Sequence, residues 1–299
     1  MIRLRRKRAR TRGLFAPTVA ATGWGESTFA ELSWDKSRGA ALRWAIGGAA
    51  VGVLGALLAF APAAWLAGAV AQATDQRLLL ADARGTVWNG SSVAVLTGGQ
   101  GSRDASSLPG RLGWTLHLKG LGLELQLQHA CCLNGTVALQ VKPGFGRTEF
   151  ILVPPAGWVG QWPAALMGGL GTPFNTMQLG GSVRLESKAL RIESVQGRWL
   201  VDGRADFDIV EASSRLSTLE SLGTYRLSVF GDAANPGISL LSLSTSGGAL
   251  QLSGTGTWGP AGVRFRGEAR ASALEEAALS NLLNIIGRRD GARSVISIG

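Results

Sequence analysis

Chemically reactive side chains are scarce in this chain. Its 299 residues include two histidines, two cysteines, one tyrosine and three methionines. An enzyme needs an activated nucleophile or base held near its partner, and little here can serve. His117 falls on the polar side of an alternating stretch and His129 ends one, so both read as solvent-facing. Neither has metal-ligand spacing with a cysteine or carboxylate. The carboxylates are scattered, and no pair reads as a general acid and base. Gly254-Thr255-Gly256-Thr257-Trp258-Gly259 matches a nucleotide-loop pattern, but Pro260 and another strand follow it where a helix is required. The sequence therefore argues against an enzyme, a metal site and a cofactor.

Two adjacent cysteines cannot make a disulfide framework. Neighbouring Cα atoms lie ~3.8 Å apart, below the usual disulfide range of ~4.4–6.8 Å. Cys131 and Cys132 leave three states open: a strained vicinal disulfide, free thiols, or a bridge to another chain. No cation stands beside them in sequence to favour a redox role.

Charge is also sparse, and its sign is uneven. The net charge is +10, yet residues 1–43 hold ten Lys or Arg against three acids, so this head carries +7 and residues 44–299 only +3. That is a topology signal with some attraction to anionic lipid, not a basic face for nucleic acid. Residues 1–12 are an Arg/Lys run and 13–43 a polar linker. Together, 1–43 reads as a basic, disordered cytoplasmic tail.

No charged residue lies between Trp44 and Thr74. The 27 residues 44–70 would make a helix of about 40 Å, against a hydrocarbon core of ~30 Å. Pro62 interrupts the run, which a membrane helix tolerates better than a soluble one. Trp44 and Trp65 would stand about 31 Å apart, at the two faces of a bilayer. The reading is one transmembrane helix over 44–70. The cations before it place the N-terminus inside and residues 75–299 outside. A cleaved signal peptide is the alternative, given Ala69-Val70-Ala71, but the apolar run and basic head are about twice too long for one.

Past the helix the periodicity becomes that of strands. Leu112, Trp114, Leu116 and Leu118 alternate with polar residues or glycine. After a turn at Lys119-Gly120, Leu121, Leu123, Leu125 and Leu127 do the same. Val137/Leu139/Val141, Val183/Leu185, Ala205/Phe207/Ile209, Tyr225/Leu227/Val229, Leu250/Leu252 and Val263/Phe265 continue the pattern. Asn89-Gly90, Asn134-Gly135 and Asp202-Gly203 have the chemistry of two-residue hairpin turns. Gly is 43 of 299 residues, about twice the ~7 % average, which suits many turns and bulges. Two short helices are expected: Trp162–Leu170 as a lid, and Leu274–Ile286. In the second, Ser272 and Glu275 form a capping box, Leu274, Ala278, Leu282 and Ile285 share a face, and Gly287 marks the stop. The fold class is mainly β: an N-terminal transmembrane helix, then one large antiparallel sheet with one or two short helices.

The segment Ala83-Arg84-Gly85-Thr86-Val87-Trp88-Asn89-Gly90 after a single anchor resembles the start of protein N of the bacterial type II (general) secretion pathway. So do Pro155-Ala156-Gly157-Trp158 with Gln161-Trp162-Pro163, Gln196-Gly197-Arg198-Trp199, and Asn281–Arg289 with Ser294–Gly299. The resemblance covers roughly 40–299; the long Arg-rich head departs from it. It implies a single-pass inner-membrane component of the machine that moves folded proteins from the periplasm across the outer membrane. It implies no catalytic residue and no cofactor, with inner-membrane platform subunits and the secretin as partners. Trp158, Trp162, Arg288 and Arg289 are the candidate interaction surface. A second reading takes the Leu112–Leu127 face as the lining of a lipid-binding groove in the periplasmic domain.

Overall fold

The computed structural model describes residues 25–154, 157–172, 174–195, 198–232 and 234–299, with side chains described from residue 41 onward except at Arg198. The Arg/Lys run at 1–12, Pro155-Ala156 and Gln196-Gly197 lie outside the described residues. The chain divides between Leu58 and Ala59 into two compact units.

The first unit carries α1, Gly25–Ala59. The linker expected to lack structure is therefore helical from Gly25 onward. Ala30, Glu31, Leu32, Lys36 and Ala40–Leu42 are strong helix formers, and no proline follows until 62. Ala41–Ala59 is 19 residues long and apolar enough to cross a membrane, with none of it buried. Trp44, Ile46, Val51, Leu54 and Leu58 are all exposed. A helix greasy on every side, about 28 Å long, matches a bilayer core and has no polar face to offer water.

The single span expected over 44–70 is not continuous. α1 stops at Ala59, and a separate helix α2, Ala63–Ala73, follows with Pro62 as its N-cap in extended geometry, φ −67° and ψ 146°. Proline has no N–H to give the residue four back and holds Ala61 out of the helical region. The second unit stabilises this break. Val87 N donates to Ala61 O at 2.8 Å, Pro62 bridges Thr86, and Ala61 and Ala63 are buried. α2 packs beside the first strand, so Trp44 and Trp65 do not share one helix.

The strands of the first half are β1 Leu78–Gly85, β2 Asn89–Thr97, β3 Ala105–Ser107, β4 Leu112–Lys119, β5 Gly122–His129, β6 Thr136–Gly144, β7 Arg147–Val153 and β8 Trp158–Pro163. A 3-10 helix, Ala164–Leu170, and a single turn α3, Phe174–Met177, come next. Then follow β9 Leu179–Val195, β10 Arg198–Ser214, β11 Gly223–Gly231, β12 Ser239–Gly247, β13 Leu250–Gly259 and β14 Gly262–Ala271. Helix α4, Glu276–Ile286, leads to β15 Arg288–Asp290 and β16 Arg293–Ile298. All sixteen strands belong to one sheet, whose path β1-β2-β4-β5-β6-β7-β9-β10-β11-β12-β13-β14-β16-β15 follows chain order almost throughout.

Cross-strand register carries one apolar face through this sheet. Leu116, Leu125, Leu139 and Leu152 stand side by side on β4 to β7. Val141, Phe150, Ile192 and Val201 do so on β6, β7, β9 and β10. Leu185, Phe207, Leu227 and Leu243 continue on β9 to β12. The pattern then meets Gly254, Gly256 and Gly267, where a Cβ would collide with the Phe265 ring. The glycine pattern on β13 thus seats an aromatic ring across strands.

Turn chemistry departs from expectation. The two-residue turns between paired strands are Gly120-Leu121, Phe145-Gly146, Pro260-Ala261 and Gly291-Ala292. Asn89-Gly90 opens β2 instead; the reversal lies just before it, closed by Thr86 N donating to Asn89 O at 2.8 Å. Asn134-Gly135 ends a longer loop between β5 and β6. Asp202-Gly203 sits inside β10 at a register shift. Gly203 has φ +83° there, and the Ala189 carbonyl occupies the place of its Cβ. A bulge asks for the same positive φ as a turn, so the dipeptide alone does not separate them.

Helix α4 closes the main core. Leu279, Leu282 and Leu283 are fully buried against Tyr225, Leu250 and Ala269. The expected face is rotated: Leu274 is 95 % exposed and Ile285 also faces out. The capping box does not form. Glu275 caps without a side-chain bond, and the buried Ser272 hydroxyl has no partner. Three leucines at i, i+3 and i+4 bury more than the alternative stripe and set the rotation. Gly287 is extended, φ −164°, and is needed because the Val295 carbonyl lies where its Cβ would be. Leu283→Ala is expected to cost about 2–5 kcal/mol and Leu274→Ala under about 0.5 kcal/mol. Urea denaturation followed by circular dichroism reads the difference.

Candidate functional site

The largest feature of the second unit is its incompletely covered apolar face. The cross-strand rows from Leu116 to Leu243 are half-buried rather than buried. At one end of the strands the face is covered. α4 sits on Tyr225 and Leu250, and the 3-10 helix overlies β2 and β9. Beneath the 3-10 helix, Leu78, Leu96, Leu108, Trp162, Met167 and Val183 line an apolar pocket of about 340 Å³. A second pocket of about 300 Å³ lies between Trp199, Val201, Ser239 and Trp258.

The opposite face is polar and held by ion pairs. Arg226 donates Nε and Nη2 to the two oxygens of Asp208 at 2.6 and 2.7 Å. Arg204 Nε contacts both oxygens of Asp206 at 2.7 and 2.9 Å, and Ser228 Oγ donates to the same carboxylate at 2.6 Å. Both acids are buried under these partners. Burial pushes the Asp206 carboxyl up, but the Ser228 hydroxyl and the Arg204 guanidinium outweigh it, and the net displacement is downward. Each carboxylate takes charge-assisted hydrogen bonds from a guanidinium group, and together they brace the sheet. The period-two spacing Arg204-x-Asp206-x-Asp208 opposite Arg226-x-Ser228 was the readable signal for this ladder.

Cys131 and Cys132 are joined as a vicinal disulfide, Cα–Cα 3.7 Å. The loop that holds it is pinned to β8: Gln161 N donates to Cys132 O at 2.9 Å and Asn134 N to Val159 O at 3.0 Å. His129, expected to face solvent, is buried. Its position on β5 opposite Leu112 places it on the apolar face. Cys131 N donates to His129 Nδ1 at 3.3 Å, while Nε2 is enclosed without a partner. His129 and the two sulfurs lie within 4.8 Å of one another, but sulfurs bonded to each other are not thiolate ligands. His117 is exposed, as expected.

The four residues of the expected interaction surface are placed apart. Trp158 and Trp162 lie in strand β8, half-buried, not in a loop. Trp162 lines the apolar pocket. Arg288 is exposed on β15. Arg289 pairs with Glu276 at 3.0 Å, so it holds the first turn of α4 rather than its C-terminal dipole. The sheet's two ends are blunted: β1 carries α2 and a bulge at Ala81/Arg84, and β15 has three charged residues. β15 pairs only with Arg293–Val295 of β16. Among the described residues, no strand covers the outer side of 296–298.

Burial lowers the pKa of His129. The folded state therefore binds fewer protons than the unfolded chain once pH falls below the ordinary value of ~6.5, and stability drops with it. The urea midpoint should fall between about pH 7 and pH 5, and His129→Gln should flatten that fall.

The family model of type II secretion system protein N matches residues 76–296. That interval runs from the approach to β1 almost to the end of β16. No curated protein and no solved structure matches the chain. Since the match takes in nearly the whole sheet and most of the chain's length, the protein belongs to the type II secretion system protein N family.

Proposed function

We propose that this chain is a single-pass inner-membrane component of type II secretion that acts through protein contacts and breaks no bond. The family's place is in type II secretion. The observation that carries the finer reading is the pairing of an exposed apolar span, Ala41–Ala59, with a head holding most of the chain's positive charge. Cations stay on the cytoplasmic side, so the span is the anchor and the sheet lies in the periplasm. One further feature fits that compartment: the vicinal disulfide suits an oxidising space.

The contact surface for a platform subunit or the secretin is the outer side of β16. Residues 296–298 present unpaired backbone there, and Ser297 is exposed. An unpaired edge recruits a strand. Trp162 lines the pocket, Trp158 opens β8, and Arg288 begins the short strand beside this edge. A photo-crosslinker at Ser297 in secreting cells should capture a platform subunit or the secretin. Capture of no secretion subunit would remove this reading.

The half-buried leucine rows and the adjoining pocket of about 340 Å³ favour a second reading, an acyl-chain groove. The lining of the pocket is apolar, as an acyl chain requires. Native mass spectrometry of the full-length protein should then show stoichiometric phospholipid on the sheet unit. Delipidation without loss would exclude it.

A further inference from the structure

We propose that two hairpin tips, Gly120-Leu121 and Phe145-Gly146, dip into the phospholipid bilayer. Two-residue turns usually carry polar residues or glycine, because both positions face water. Here each turn carries one large apolar side chain. Leu121 is 98 % exposed, Phe145 is fully exposed, and Leu118 beside them is largely so. Nothing in the second unit covers these three, and the fold does not need them there: Gly120 and Gly146 already supply the positive φ of +61° and +70°.

The occupant follows from where the chain enters this unit. Pro62 bridges Thr86 and Ala61 accepts from Val87, so entry is at the β1–β2 turn. Ala59, the last residue of the apolar span, precedes Pro62 by three residues, at most about 11 Å of chain. The β4–β5 and β6–β7 turns lie at the same end of their strands as the β1–β2 turn. Asn89 stands opposite Thr115, and β4 continues from there to Lys119, so its tip projects about 13 Å further. β4 and β5 are the third and fourth strands from the entry edge, and β6 and β7 the fifth and sixth.

Charge agrees with this placement. Lys119 pairs with Glu124, Lys142 with Glu149 and Arg147 with Glu193. In each pair the cation is the more exposed partner; Lys119 and Arg147 adjoin the tips, and Lys142 lies level with Glu149. Apolar tips ringed by outward cations suit a bilayer with anionic headgroups. The opposite end exposes Leu274 almost as fully but lies away from the entry point.

The inference rests on reading α1 as a membrane anchor, and the test separates the two. A diazirine analogue of leucine is placed at position 121, 145 or 274 of the full-length protein in vesicles of phosphatidylethanolamine and phosphatidylglycerol. Carbonate extraction reports anchoring, and mass spectrometry reports adducts. Phospholipid adducts at 121 and 145 at least ~10-fold above those at 274 are expected for interfacial insertion. Equal adducts at all three positions, adducts at none, or tip crosslinks to protein instead of lipid would overturn it. Retention after carbonate without tip adducts defeats the tip contact and leaves the anchor; release by carbonate defeats both.

Discussion

A sheet with one apolar face has to bury that face or place it where water is absent. The rest of this structure depends on how that requirement is met. Among the described residues there is no second sheet. α4 covers one region with Leu279, Leu282 and Leu283, and the 3-10 helix covers another beneath which a pocket persists. Between them the leucine rows are half-buried by their own neighbours. The Arg–Asp ladder on the reverse face stiffens the sheet where no second layer supports it. Buried ion pairs add little net stability in general, but they fix register, because a slip would strand both charges.

Much of this was legible in the sequence. Leucine alternation placed β4 and most of β5, because period two is a direct consequence of the pleat; the turn expected at Lys119-Gly120 falls one residue later, at Gly120-Leu121, so Lys119 ends β4 and Leu121 lies outside β5. The helix before Gly287 was also readable, but not its rotation, which is decided by which side chains fit Tyr225 and Leu250. Pro62 was judged for a lipid setting; the extended Ala61–Pro62 backbone is instead held by β1 and its turn, a tertiary cause invisible in the local run. Asn89-Gly90 and Asp202-Gly203 carried correct local chemistry in the wrong element. His129 read as a terminal residue of a strand, yet its opposite number, Leu112, lies on the apolar face, and that is a statement about register. Trp158 and Trp162 stood out by rarity, which does not distinguish an exposed ring from one lining a pocket.

The functional surface is correspondingly spread out. Several polar groups are engaged: the cysteines in a disulfide, and the buried Asp206 and Asp208 under guanidinium groups. Ser297 on β16 and the apolar side chains of Leu121 and Phe145 at the hairpin tips are exposed. In the function proposed, the first meets a polypeptide and the others meet lipid. They occur on different parts of the sheet, so a chain engaged at its tips keeps its last strand available to a neighbour.

The sheet path has one more consequence. Nearly every strand pairs with the one just before or after it in the chain, so loop closure rarely spans more than a hairpin. Short-range closures are fast. A polypeptide of this topology can therefore assemble progressively, each new strand templated on the last as it emerges from the pore or ribosome that delivers it. The joins that reach further are β2 to β4, β7 to β9 and β14 to β16, and across the last of these α4 covers the apolar face that Tyr225, Leu250 and Ala269 present.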